Sequence, residues 1–331
     1  MPEPYRRRVQ LSGNSTLIVS LPKTWTERAG LKRLDEIILI PLDDRSLLIE
    51  LENNRAKEAK VKIDSEDQPE VVIRELFSRY LSGFDRIILE FSTPAPQLAA
   101  EVKEKVRRWL IGVEVVEESA MYMEIQCLPM HTSLPLKRAV ERMGGIASNM
   151  QVDAFSSMLT GDTVLASEVI ARDDDVDRFY HFIIRQLNLA VANPMLLHSL
   201  DLSSSQDCLG YMLAAKSIER AADHAVSICK LVGQVKSWKI PPQVKSLTKK
   251  INEVFKDSIN ALLSLDAGKA HKTIMEAARL SDAMDGAATT LAYPSRLAIG
   301  NIKRIAEYAE DIAEAAVNMS ARYSTVSHIA K

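Results

Sequence analysis

The chain has 331 residues, 47% of them hydrophobic and 26% charged, with a formal net charge of −2. It is too long for one ordinary domain and suits two or three, and its near-neutral charge points to no partner chosen by overall electrostatics. Aromatic residues make up only 5%, a bias that favours packed helices over sandwich or barrel cores. Cys127, Cys208 and Cys229 lie far apart with no CxxC pattern, as expected of reduced core residues in a cytosolic protein. The start MPEPYRRRVQ has no apolar leader, and no apolar run reaches the ~20 residues needed to span a bilayer. A cytoplasmic location is expected.

Residues 5–51 form the first unit. RRVQLSGNSTLIVSLP reads as two extended stretches broken at Gly13-Asn14, and KTWTERAGL as a short helix stopped by Gly30. EIILIP and SLLIEL are apolar β runs on either side of a turn at Asp43-Asp44-Arg45. So small a unit has little core of its own. Dimerisation through it is the expected remedy. Trp25 is expected to be part of what core there is.

Residues 52–65 are polar and read as a linker. Residues 66–128 follow an α/β pattern. VVIRELFSRYLSGF and PQLAAEVKEKVRRWLIG read as helices, and DRIILEF, VEVVEE and MYMEIQCL as strands, with Glu117-Glu118-Ser119 near a turn. This is expected to be a small separate module, and nothing in it has a catalytic pattern. Trp109 and the later Trp238 read as packing or surface residues.

From residue 130 the β signal vanishes. Ala-rich segments with helical periodicity run 132–160, 162–193, 203–235, 241–265, 267–292 and 295–324. Breakers and capping residues separate them: Thr160-Gly161-Asp162, Asn193-Pro194, Ser203-Ser204-Ser205, Pro241-Pro242, Asp266 to Gly268, and Tyr293-Pro294. Six helices of this length form a bundle. An internal repeat groups them in threes: Ile218, Arg220, Ala222, Ala225 and Ile228 recur as Ile302, Arg304, Ala306, Ala309 and Ile312. The second and fifth helices share Asp-x-x-Asp, as Asp174/Asp177 and Asp282/Asp285.

Carboxylates supply the candidate chemistry. The apolar stripe Val169, Val176, Tyr180, Ile183, Leu187, Ala190 needs a member at position 173, where Asp173 stands. A carboxylate in an apolar stripe must be paired, protonated or metal-bound. Asp177 shares its face at about 6 Å, one turn on. In the third helix, Glu219 and Asp223 repeat that spacing at the edge of the apolar face Tyr211, Ala215, Ile218, Ala222, Ala225, Cys229, Val232. Oxygen ligands from facing helices are how bundles hold divalent cations. Equally, Arg172, Arg178 or Arg220 could neutralise the same groups, and Asp174 and Asp175 read as a solvated face. His181, His198 and His224 are weaker candidates. No phosphate-binding glycine loop, nucleophile elbow or zinc spacing is present.

Asp173-x-x-x-Asp177, Glu219-x-x-x-Asp223 and the string Ser-Ile-Glu-Arg-Ala-Ala-Asp-His-Ala around the latter resemble the PhoU family, over roughly residues 130–325. The resemblance implies two three-helix repeats, 130–235 and 241–325, that bind metal through such motifs, and a regulator of phosphate uptake. It implies iron or zinc, whereas hard oxygen ligands alone admit magnesium, manganese, calcium or iron. The second repeat departs from the pattern, with Ser281 in place of Asp173 and Lys303 in place of Glu219. Asp285, Glu307 and Asp311 remain as a weaker site.

Residues 1–51 resemble AbrB/MazE/SpoVT-type domains through Arg7 to Gln10, Gly13-Asn14-Ser15, Val19-Ser-Leu-Pro-Lys-Thr-Trp25 and Gly30-Leu-Lys-Arg-Leu-Asp35-Glu. Leu34 departs from them, since the family has glycine before the aspartate. The resemblance implies a swapped-hairpin β dimer that binds DNA. Residues 1–34 carry seven Lys/Arg against Glu3 and Glu27, a balance of +5 that suits a phosphate backbone. The candidates are Arg6, Arg7, Arg8, Lys23, Lys32 and Arg33. The whole pattern is closest to archaeal members of the PhoU family: multidomain, mainly α, with a swapped-hairpin β domain, a small α/β module and a six-helix bundle. Three functions compete. The first is a DNA-binding regulator of phosphate uptake that carries a divalent or trivalent metal (iron, zinc or magnesium). The second is a non-DNA-binding cytoplasmic adaptor of a phosphate transporter. The third, a ferritin-like di-metal enzyme, needs Glu-x-x-His, which the chain lacks, so no enzyme is expected.

Overall fold

The computed structural model describes residues 4–41, 46–51, 57–128, 134–235, 238, 240–289 and 291–323. The expected turn at Asp43-Asp44-Arg45, Glu3 of the charge balance and residues 52–56 of the expected linker lie outside them. The chain divides into two units, residues 1–56 and 57–331.

In the first unit, β1 (Gln10–Ser12) and β2 (Thr16–Ile18) form an antiparallel hairpin, and β3 (Ile37–Pro41) and β4 (Leu47–Leu51) form another. Gly13 turns the first hairpin in the left-handed region (φ 66°), which costs glycine nothing. Helix α1 (Lys23–Ala29) stops at Gly30, whose N–H closes on the carbonyl oxygen of Glu27. Leu34 has φ 75°, a conformation that L side chains pay for. Glycine, the residue expected here from the sequence resemblance, would adopt it without that cost. None of the described residues of this unit is buried, and Trp25 is only half-buried.

The second unit begins with a strand where a linker was expected. β5 (Glu58–Ile63) runs parallel to β6 (Arg86–Phe91), pairing Glu58 with Arg86 and Ile63 with Phe91. β8 (Tyr122–Cys127) pairs antiparallel with β6, and β7 (Val113–Ser119) with β8, giving the order β5-β6-β8-β7. Helices α2 (Pro69–Leu81) and α3 (Pro96–Trp109) connect these strands and bury Leu76, Tyr80, Val102 and Val106 in the same core as Ile87 and Leu89. Each starts with proline in its first turn, where a missing N–H costs nothing.

The remaining helices are α4 (Leu136–Thr160), α5 (Thr163–Ala192), α6 (Pro194–Ser199), α7 (Asp207–Val232), α8 (Pro242–Ser264), α9 (Ala267–Ala288) and α10 (Tyr293–Ser320). The short α6 was not foreseen; Asn193 caps it by accepting the Met195 N–H. Asp162 and Asp266 cap α5 and α9 in the same way. α4, α5 and α7 pack on one another, as do α8, α9 and α10, and the two groups meet through α4–α8 and α7–α10. Gly144 lets α4 approach Ile259 of α8, and Gly210 lets α7 approach Met319 of α10.

The α/β module is not a separate body. Arg185, buried in α5, donates to the Tyr80 carbonyl oxygen at 2.6 Å, lies over the Tyr80 ring at 4.9 Å and faces Asp85 at 3.5 Å. Asn188 donates to the carbonyl oxygen of Leu81 at 2.8 Å. Both bonds close the C-terminal end of α2 onto α5.

Candidate functional site

Helices α5 and α7 pack along apolar faces. Val169, Val176, Ile183, Leu187 and Ala190 of α5 are buried, as are Tyr211, Ala215, Ile218, Ala222, Ala225, Cys229 and Val232 of α7. The expected carboxylates sit at the edge of this seam. Asp173, Asp177 and Glu219 are half-buried, whereas Asp223 is exposed. Burial, followed by the charges of Asp223, Glu219 and Asp174, pushes the Asp173 carboxyl up to about 6. Burial, followed by Asp173, Glu219 and Asp223, pushes Asp177 up to about 7. The four groups therefore share one electrostatic neighbourhood.

The arginines that could have neutralised them are engaged elsewhere or left aside. Arg172 pairs with Asp153, the buried Nε of Arg178 has no hydrogen-bond partner, and Arg220 is exposed. Among the described residues, no hydrogen bond or ion pair reaches the carboxylates of Asp173, Asp177 or Asp223. Glu219 accepts from Lys216 at 2.7 Å through Oε1, while its buried Oε2 has no partner. Lys216 in turn lies over the Tyr180 ring at 5.0 Å. An orphaned buried carboxylate oxygen beside mutually repelling carboxylates suits a hard cation. The ligands are not drawn together, however: among the described residues, no three His, Cys, Asp or Glu side chains stand grouped at metal-binding distance.

Asp174 is not solvated as the sequence suggested. It accepts from Trp109 Nε1 at 2.7 Å and pairs with Arg108, tying α5 to α3. Asp175 is exposed, as expected. No local pattern announces the Trp109–Asp174 bond, because 65 residues separate its ends.

The second helix group balances its charges internally. Lys303 pairs with Asp285 and also faces Glu307 at 3.6 Å, and Arg304 pairs with Glu307. The Ser281 hydroxyl donates to Glu307 at 3.4 Å. Lys303 stands at the repeat position that Glu219 holds in the first group and brings a positive charge where Glu219 brings a negative one. Among the described residues Asp311 has no such partner, and burial raises its pKa. His224 contacts Asn301 at 2.7 Å and stacks on Tyr308, a packing role across α7–α10.

In the first unit, Arg6, Arg7, Arg8, Lys23, Lys32 and Arg33 are all exposed. Arg7 lies 5.9 Å over the Tyr5 ring and Lys23 is 3.8 Å from Glu27.

Residues 140–232 match the family model of the PhoU domain. The PhoU match spans α4 to α7 and contains Asp173, Asp177, Glu219 and Asp223. The chain is also similar to a phosphate-specific transport system accessory protein PhoU homolog of Caulobacter vibrioides, with 30% identity over 98 residues, 29% of this chain and 39% of that one. It thus spans about two fifths of the length of the curated relatives it matches. Two solved structures align with it. One is the phosphate transport system regulatory protein PhoU from Streptococcus pneumoniae (21% identity, 58% of this chain and 96% of that one, TM-score 0.47). The other is PhoU from Pseudomonas aeruginosa (16% identity, 57% and 96%, TM-score 0.48). Among the described residues, no helix is long and apolar enough to cross a membrane.

Proposed function

We propose that this chain is a cytoplasmic, non-catalytic accessory protein that regulates a phosphate-transport system. One observation carries the reading: the segment that matches the PhoU domain contains all four carboxylates of the α5–α7 seam. Asp173, Asp177, Glu219 and Asp223 would hold a divalent or trivalent ion, with iron, zinc or magnesium the candidates. A bound cation would cancel their repulsion and cross-link the two helices. The site at Asp285, Glu307 and Asp311 binds more weakly, because Lys303 and Arg304 already neutralise two of its members. The first unit pairs two copies as a swapped-hairpin domain of AbrB/SpoVT type. Its six exposed cations support a second reading, in which that dimer binds DNA.

The test combines metal analysis with phosphate uptake. Protein purified without chelator should carry about one metal ion per chain, and the double variant Asp173→Ala/Glu219→Ala should carry none. In the native host, loss of the gene should change phosphate uptake, and the metal-site variant should not restore it. An Arg6→Ala/Arg7→Ala/Arg8→Ala variant that restores uptake favours the adaptor. If that variant fails and also loses salt-dependent binding to upstream DNA, the regulator reading replaces it. Uptake unaffected by gene loss refutes both.

A further inference from the structure

A cleft of about 620 Å3 lies between α2, α3 and the middle of α5, within the size range of small-ligand sites. It is on the side of α5 that carries Asp174, His181 and Arg185, each bonded to the α/β module, and is distinct from the carboxylate seam. Three rings line it. The Phe77 ring meets Trp109 edge-on at 5.8 Å and His181 edge-on at 5.3 Å.

Packing does not account for the polar groups around these rings. Among the described residues, Arg74 and Lys105 have no ion pair or hydrogen bond. Each has a glutamate one helical turn before it, Glu70 on α2 and Glu101 on α3, the spacing and order at which such residues readily pair. Neither pair is closed. Lys105 instead hangs over the Trp109 ring at 4.3 Å. His181 adds a directed acceptor. Its Nδ1 lies 3.3 Å from the Trp109 carbonyl oxygen, which can only accept. Nδ1 therefore carries the proton, and burial keeps the imidazole neutral by lowering its pKa. That leaves Nε2 as an acceptor with no partner among the described residues, in a ring that lines the cleft.

We infer that the cleft binds a small heteroaromatic anion of the nucleoside-monophosphate class, its flat ring on the Trp109 face that Lys105 covers when the cleft is empty, a ring N–H on His181 Nε2 and its phosphate between Arg74 and the displaced Lys105. The Trp109 face selects a flat π-system, since stacking of one base contributes about 1–3 kcal/mol. The lone acceptor selects a ring with an N–H. The two unpaired cations select an anionic group. Glu70 and Glu101 at the rim repel the extra charges of a polyphosphate and leave one phosphate as the best match.

Calorimetric titration of the full chain with AMP, GMP, CMP and UMP tests this, with inorganic phosphate and adenosine as controls. GMP or UMP, whose rings carry an N–H, should bind saturably in the micromolar range and more tightly than AMP and CMP, whose rings do not. Arg74→Gln/Lys105→Gln should weaken that nucleotide about tenfold or more, equivalent to about 1.4 kcal/mol. Ser78→Trp, which fills the cleft from an exposed helix position, should abolish binding and leave the helical circular dichroism unchanged. His181→Phe should weaken the nucleotide and not inorganic phosphate. The inference is overturned if neither GMP nor UMP saturates the protein, if Arg74→Gln/Lys105→Gln or Ser78→Trp leaves binding unchanged, or if inorganic phosphate alone binds as tightly as the nucleotide.

Discussion

Asp177 lies at the edge of the α5–α7 seam with Asp173, Glu219 and Asp223, and no ion pair among the described residues offsets its charge. Its folded-state pKa of about 7 stands above the roughly 3.9 of an unfolded aspartate. The folded state thus binds more protons between those values, and stability falls as pH rises from about 4 to about 7. Below that window the carboxyl is neutral in both states and contributes nothing. In cation-free buffer at pH 8, Asp177→Asn should stabilise the protein by on the order of 1–2 kcal/mol, after allowance for solvent screening. Thermal melts should show a gain of about 2–4 °C at pH 8 and none at pH 4. Adding a divalent cation should raise the wild-type melting point and leave the variant's nearly unchanged. Equal melting points for the two proteins at pH 8 would remove the electrostatic basis of the site. Asp173 and its neighbours were legible because a carboxylate interrupts an apolar period of three and four residues. The Trp109–Asp174 bond and the release of the cluster from its arginines were not, since both depend on which helices meet.

At the scale of elements, the helices were legible for a physical reason: several boundaries are marked by a capping aspartate or a first-turn proline. Asp162 and Asp266 accept N–H groups at helix starts, and prolines at α8 and α10 sit in first turns. β5 was missed because a strand at a sheet edge carries lysine and glutamate on its open side. Glu58, Lys60 and Lys62 gave the segment the composition of a linker and masked the alternation of Ala59, Val61 and Ile63, which turn inward. That strand should be indispensable to the α/β module. A fragment that begins at Lys57 should fold, whereas one that begins at Asp64 loses the ladder to β6 and the burial of Ile63 and Val61. The loss amounts to about 3–5 kcal/mol. Urea unfolding of both fragments decides it: matching midpoints would make β5 dispensable, and a markedly lower midpoint or aggregation of the shorter fragment is expected.

At the scale of the whole molecule, the first unit lacks what makes a domain stable alone. Among its described residues none is buried, while Val9, Leu11, Leu17 and Val19 are each more than half exposed. Its strands form two separate two-stranded sheets, and a lone hairpin is marginal at best in water. Fewer than 60 residues leave little chance of an adequate private core. A second copy of the same strands would supply the missing apolar face, because each chain would bring the surface that the other needs. The full chain should therefore have at least the mass of a dimer in multi-angle light scattering at micromolar concentration. The fragment that begins at Lys57 should run at the mass of a single chain. Leu11→Lys/Leu17→Lys in the intact chain should have the same effect, since an ammonium at each of these apolar positions opposes burial by about 2–3 kcal/mol or more. A full chain that is monomeric refutes the pairing, and a fragment that keeps the full chain's association state places the contact in the bundle instead.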